Sequence, residues 1–541
     1  MNILKGHIVD IIAGKIFKGE LHIEGTKIKT IISNPEITES QYILPGLIDS
    51  HIHVESSMLI PSEFARLASI HGTVATVSDP HEIANVLGIE GVKFMIENGN
   101  KVPFKFYFGA PSCVPATPFE SSGASLGPVE VDELLKMDEV KYLAEMMNFP
   151  GVLNDDKEVF AKLSSAKKYN KPVDGHAPGL KGNDAKKYAQ AGISTDHECF
   201  TTEEALDKMK SGMFVQIREG SAARNFESLI ELMGEYSDKI MLCSDDKHPN
   251  DLEKGHINQL IKRSLTKGYD LISILKSCTL NPIKHYKLDV GMLQIGDDAD
   301  LIVIDNPENF NVLKTYVRGQ LIAENGKTLI ESIKESTPNL FVAKPLALSD
   351  LQVKPQTGKL KVIEAVDGQL ITHLVHDKAL IDKNNVISNI ENDVLKIVVL
   401  NRYEPSKPTI GFIRGFGFKK GAIASSVAHD SHNIIAVGTS DQELLAAINL
   451  IIRETGGVSW VKDKEQIILS LPVAGIMSNA DGFKIARQYA DIDKKAKGLG
   501  GNLGAPFMTL SFMALLVIPE IKLSDKGLFD GNKFSFTELF N

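Results

Sequence analysis

The segment ILPGLIDSHIHVESSM sets two histidines, His51 and His53, at the end of a short apolar run. In an extended chain residues i and i+2 face the same way, so both imidazoles can point at one cation. Two ordinary histidines would be the plain reading of an isolated His-x-His pair. Here the pair follows a buried strand, and later apolar runs end in further ligand types. KYLAEMM carries Glu145, KPVDGHAPG carries His176, ISTDHECF carries His197 and IMLCSDDKHP carries Asp245. Singly each is unremarkable: Glu145 could sit on a surface helix and His176 in a turn. Together, four histidines and two carboxylates are enough for two divalent ions sharing a bridge, with coordination left open for water.

Such residues must be carried to one place by the elements around them. Short apolar runs end near His51, Ser78, Ala110, Glu145, His176, His197, Arg218 and Asp245, at intervals of 21 to 35 residues. A strand with its return helix needs about that length, so eight units fit a (β/α)8 barrel of roughly 250 residues. An open doubly wound sheet is the alternative. Polar residues recur at nearly every run end, where barrel active sites are built, and that favours the barrel. On either side of it, short apolar runs broken by glycine read as strands joined by tight turns. The expected fold class is α/β. A TIM-type barrel spans 46–286, a small β-sandwich domain forms from both flanks (1–45 and 287–336), and an additional α/β domain spans 337–541. In that last part KLKVIEAV, DVLKIVVLN, NIIAVGT and QIILSLPVAGIMS read as strands, while DQELLAAINLIIRETG and DGFKIARQYADIDKKAKGLG read as helices.

Composition narrows the ligand. Across 541 residues, 69 acidic side chains outnumber 59 basic ones, giving a net charge of -10 that disfavours a phosphate-backbone partner. A free nucleobase stays open; nucleic acid does not. Four scattered cysteines, with no Cys-x-x-Cys pair, argue against a disulfide framework and a cysteine zinc site and suit a reducing cytoplasm. The charged, glycine-containing start does not read as a signal peptide. The apolar run over 507–518 is too short to span a bilayer and reads as a buried core element.

Several passages together resemble the amidohydrolase superfamily and, over nearly the whole chain, its adenine deaminase family of bacterial and archaeal type. They are PGLIDSHIHVESSM, TVATVSDPHEIANVLG, FGAPSCVPATPFE, VDGHAPGL, STDHECFTTEEA, IREGSAARN and LCSDDKHPNDL. In the last third SSVAHDSHNIIAVG, LPVAGIMS and GAPFMTLSFMALLVIPEIKLSDKGLFD resemble the domain that sets this family apart. The resemblance implies two divalent ions, manganese ahead of iron or zinc. It assigns His51, His53 and Asp245 to one, His176 and His197 to the other, and Glu145 as the bridge. It implies conversion of adenine to hypoxanthine and ammonia, as in purine salvage, by a metal-activated hydroxide attacking C6. Asp245 would take the proton. An acid must serve ring N1, and Glu219 and His81 are the candidates, with Arg218 and Glu219 as substrate-binding residues. Arg218 and Glu219 could equally form a surface ion pair, and His81 could cap a helix. The partners implied are a small purine, no membrane, and at most further copies of the same chain.

The rival within the same class is another amidohydrolase acting on a different purine or a cyclic amide, with the same barrel and metals. From another class, an inactive scaffold would have no reason to collect buried imidazoles and carboxylates. The His-x-Glu and Pro-Cys-x-x-Cys route to deamination is excluded, because the second motif is missing. In HDSHN, Asp430 and His432 could reach the site from the C-terminal domain, or merely shape a turn.

Overall fold

The computed structural model describes residues 2–541. Eight parallel strands form the barrel: β1 (Leu47–Ile52), β2 (Thr73–Ser78), β3 (Lys105–Ala110), β4 (Val140–Met146), β5 (Val173–Gly175), β6 (Thr195–Asp196), β7 (Phe214–Arg218) and β8 (Ile240–Cys243). The first five pair in sequence order, as do the last three. Parallel bridges Val173↔Ile193 and Ile52↔Asp245 join the two arcs and close the ring. That closure decides for the barrel over the open sheet. TVATVS in β2 is buried at every position, as a strand covered on both faces must be. Return helices start where a side chain satisfies free backbone N–H groups. Asp156, Thr201 and Asp270 each accept from the first turn of theirs.

The two flanks meet in one eight-stranded sheet. Tyr42–Pro45 pairs antiparallel with Leu301–Ile304, and the sheet extends from there into both flanks. Its own small core draws Leu4, Ile8, Leu21 and Ile43 from before the barrel and Leu301, Val303 and Tyr316 from after it. Lys105 joins this sheet to the barrel: its Nζ donates to Asp300 Oδ2 at 2.8 Å and Asp298 Oδ2 at 3.1 Å, all three side chains being largely buried. Removing the cation leaves Asp300 buried without its counter-charge. Lys105→Ala is therefore expected to destabilise the protein by about 3 kcal/mol, read as a lower urea midpoint. An unchanged midpoint would remove this joint from the account.

The C-terminal part is built on a second eight-stranded sheet, antiparallel except for one pair, Leu360–Ala365 with Thr409–Arg414. Helix Asp441–Glu454, capped by Ser440, lays Leu444, Ala447, Ile448 and Ile451 against it. The runs read from sequence appear as strands or helices here, and four strands of this sheet were not anticipated: Thr372–Asp377, Thr409–Arg414, Ala422–Ser425 and Gly457–Lys462. The apolar run over 507–518 is buried, as expected, in helix Pro506–Ser511 and the turn after it. Among the described residues no helix is long and apolar enough to cross a membrane. All four cysteines are buried and unpaired.

Candidate metal centre

His51 is the penultimate residue of β1 and His53 follows its end, both buried in the mouth of the barrel. Asp49 fixes the strand end by accepting from the backbone N–H of Ser244 at 3.0 Å. The Nδ1 of His53 lies 3.2 Å from the carbonyl oxygen of Asp79. A carbonyl can only accept, so Nδ1 carries the proton and Nε2 presents a lone pair to the chamber. That lone pair faces Asp245 Oδ1 at 3.3 Å and Glu145 Oε1 at 3.6 Å.

Glu145 stands at the centre. Its Oε1 faces His53 and, at 3.4 Å, His81. Its Oε2 lies 3.0 Å from both His176 Nδ1 and His197 Nε2 and 3.8 Å from His51 Nε2. Burial pushes its pKa up, but the imidazoles of His176 and His197 outweigh burial and hold the carboxyl well below its ordinary range. Lys141, four residues earlier on the same strand, instead donates to the carbonyl of Asp138 at an exposed position.

The cluster fits divalent cations. Both ring nitrogens of His51, Nε2 of His176 and Nδ1 of His197 are buried without a hydrogen-bond partner, which is costly unless something else satisfies them. Sets such as His51, His53 and Asp245, or His51, Glu145 and His197, bring one donor atom each within 4.8 Å of one another. Imidazole nitrogens and carboxylate oxygens, with no thiolate, suit manganese, iron or zinc.

The remaining expected residues divide. His81 enters the cluster, with Nδ1 3.1 Å from Asp79 Oδ2. Arg218 reaches the chamber, where its two terminal nitrogens are committed to both oxygens of Glu198 and to Asp245 Oδ2, so it orders these carboxylates, while its Nε has no hydrogen-bond partner. Glu219 is turned away by the alternation of β7 and pairs with Arg263 at 2.7 Å. It is not among the chamber-lining residues, and the acid role expected of it has no geometry behind it. Asp246 also faces the chamber, because Asp245 adopts a left-handed conformation (φ 53) just past β8 and the alternation of an extended chain ends there.

Residues not anticipated complete the walls. Glu198 and Glu82 directly follow the cluster histidines His197 and His81, a doubling of polar residues at strand ends that the sequence did display. Leu370, His429, Phe512 and Leu515 come from the C-terminal part. Buried Lys522 supports that wall, donating to the carbonyls of Leu370 at 2.6 Å and Phe512 at 3.0 Å. A larger groove of about 1220 Å3 lies elsewhere, beside Trp460 and helix Gly482–Lys497, but it holds no imidazole.

Residues 42–322 match the amidohydrolase family, and 369–535 match the adenine deaminase C-terminal domain. The chain is 53% identical over 538 residues to an adenine deaminase of Sulfurovum sp., covering 99% of both chains. It is 50% identical to that of Methanosarcina mazei (99% of both) and 51% to that of Salinibacter ruber (99% and 98%). The chain belongs to the adenine deaminase family of amidohydrolases. Membership of the amidohydrolase family implies a divalent metal centre, and the buried imidazoles at the barrel mouth are where this chain can hold one.

Proposed function

We propose that this chain hydrolyses adenine to hypoxanthine and ammonia at the barrel mouth, a step of purine salvage. The observation that carries the reading is Glu145, whose two oxygens reach separate groups of imidazoles in a chain matched end to end by adenine deaminases. His51, His53 and Asp245 would hold one cation and His176 and His197 a second, with Glu145 shared. Manganese is favoured over iron or zinc on the family resemblance, and the donor set admits all three. When bound, such cations acidify water so that a nucleophile is available near neutral pH. The protein does the rest. Asp245 accepts the proton of the attacking water and returns one to the departing amino group. Phe512, Leu515 and Leu370 give a planar base an apolar wall. Arg218 holds Asp245 and Glu198 in place.

The test is ammonia release by manganese-loaded protein across adenine, guanine and dihydroorotate, with metal content measured on the same sample. About two ions per chain and adenine preferred by at least tenfold are expected. Turnover of guanine or dihydroorotate with adenine inert would hand the site to the other amidohydrolase reading. Full activity in a metal-free preparation would end the mechanism.

A further inference from the structure

The motif HDSHN is not absorbed by the metal cluster. It lies 347 residues from Glu82, and yet the Nδ1 of His429 is hydrogen-bonded to Glu82 Oε1. The other oxygen, Oε2, is bonded to Nε2 of His432. The tautomer of His432 follows from its far side, where Nδ1 accepts the backbone N–H of Ala428 at 3.2 Å. Nε2 therefore carries the hydrogen and donates it, so His432 orients Glu82 and does not compete as a cation ligand. Glu82, ionised and buried, can only accept, so Nδ1 of His429 is a donor. The ring of His429 stacks on Phe512 (centroids 4.7 Å apart, 18° between planes) and lines the chamber.

We propose that His429, presented by the C-terminal domain and oriented by Glu82 of the barrel, is the catalytic acid that protonates the purine ring. This rests on the purine-deaminating reading above. A carboxylate behind Nδ1 fixes the ring and stabilises its cation, leaving Nε2–H for the substrate. As the water oxygen bonds to C6, the C6–N1 double-bond pair moves onto N1, which takes the Nε2 proton. Asp245 takes a water proton and gives it to the 6-amino nitrogen, the C6–N bond breaks and ammonia leaves. The hydroxyl proton returns to His429 as the C6 carbonyl forms. Protons balance over the cycle. His432 and Glu82 are positioning residues.

The charged and titratable groups facing His429 are Glu82 from the barrel, Asp246 past β8, His248, and its neighbours Asp430 and His432. Burial pushes its pKa down, but Glu82, with Asp246 and Asp430, outweighs burial and lifts it to about 9. An acid with a raised pKa is present in full below its ordinary value of 6.5 and is lost as pH rises through about 9.

The kcat/KM profile of the manganese enzyme should therefore fall on its alkaline side near pH 9. His429→Gln should lower kcat by roughly 10²–10⁴-fold with KM little changed, and should abolish that limb. Glu82→Gln, or Glu82→Asp should the first not fold, should shift the limb to lower pH. Independent of turnover, nitrogen-15 NMR of histidine-labelled, zinc-loaded protein should find His429 protonated at pH 7 in the wild type and titrating lower in the Glu82 variant. A neutral His429 at pH 7, or a His429→Gln enzyme with its limb intact, overturns the proposal. Loss of one metal equivalent in either variant also overturns it, by making the cluster a cation site. If the wild type releases no ammonia from any purine, the parent reading fails separately, and the NMR result still decides whether Glu82 holds a cationic His429.

Discussion

Glu145→Ala is expected to reduce bound metal from about two ions per chain to fewer than one, and to lower turnover by at least about 10³-fold. The reason is positional. Among the described residues no other carboxylate has one oxygen on the His53 and His81 side and the other on the His51, His176 and His197 side. Without it, two cations would be held largely by neutral imidazoles in a dry site, where their mutual repulsion is barely screened. Glu145→Gln keeps the volume and one carbonyl oxygen but loses the charge, so it should retain more metal than the alanine variant and little more activity. Lys141 supplies the contrast. A lysine bridge would have to be carboxylated, since an ammonium cannot bind a cation, but the Lys141 ammonium is exposed and donates to Asp138. Lys141→Ala should stay within about twofold of the wild type, and metal-free protein should recover with manganese in bicarbonate-free buffer. Bicarbonate-dependent recovery together with a dead Lys141→Ala would show the bridge to be the lysine.

Much of this site could be read along the chain, for a specific physical reason. Barrel strands end at one rim, so residues far apart in sequence become neighbours whenever each closes a strand. The run ends read near Ser78, Ala110 and Arg218 are strand ends in the structure, and those at His51, Glu145, His176, His197 and Asp245 fall within two residues of one. Alternation served less well where the backbone leaves the extended region. Asp245, in a left-handed conformation, lets its neighbour Asp246 turn inward and accept from Ser56 at 2.5 Å. At the end of β7 the same rule does hold: Arg218, its last residue, points into the chamber and Glu219, the next, points out to Arg263. The C-terminal wall was least legible. Nothing in the period or spacing of HDSHN indicates that His429 and His432 will meet Glu82, because that contact depends on how one domain packs on another. Two of the unanticipated strands of that domain have a related cause. AIAS and GVSWVK are short and carry Ala, Gly or Ser where a strand pattern would show large β-branched residues, and only burial by the neighbouring strands makes them regular.

Asp245→Asn is expected to lower kcat by about 10²–10⁴-fold or more while leaving the fold intact. Asparagine matches the shape of aspartate and can still be reached by Arg218, so the loss reports on charge and proton transfer more than on packing. Oδ1 of Asp245 lies within 3.7 Å of Nε2 of both His51 and His53, placing it where it can share a cation with them. Oδ2 is held by Arg218. Burial raises the pKa of this carboxyl, but Arg218 and the nearby imidazoles prevail and keep it well below the usual carboxylate value. It is therefore ionised throughout the working range and can receive a proton. Its neighbour gives the control. Asp246 lines the same chamber, but it takes the Ser56 hydroxyl, and the donor set that joins His51 to His53 is completed by Asp245. Asp246→Asn should thus cost markedly less kcat and no metal, with any effect falling on KM. A tolerated Asp245→Asn beside a dead Asp246→Asn would place the base one residue later, and the left-handed turn at Asp245 would then be what brings Asp246 to the substrate.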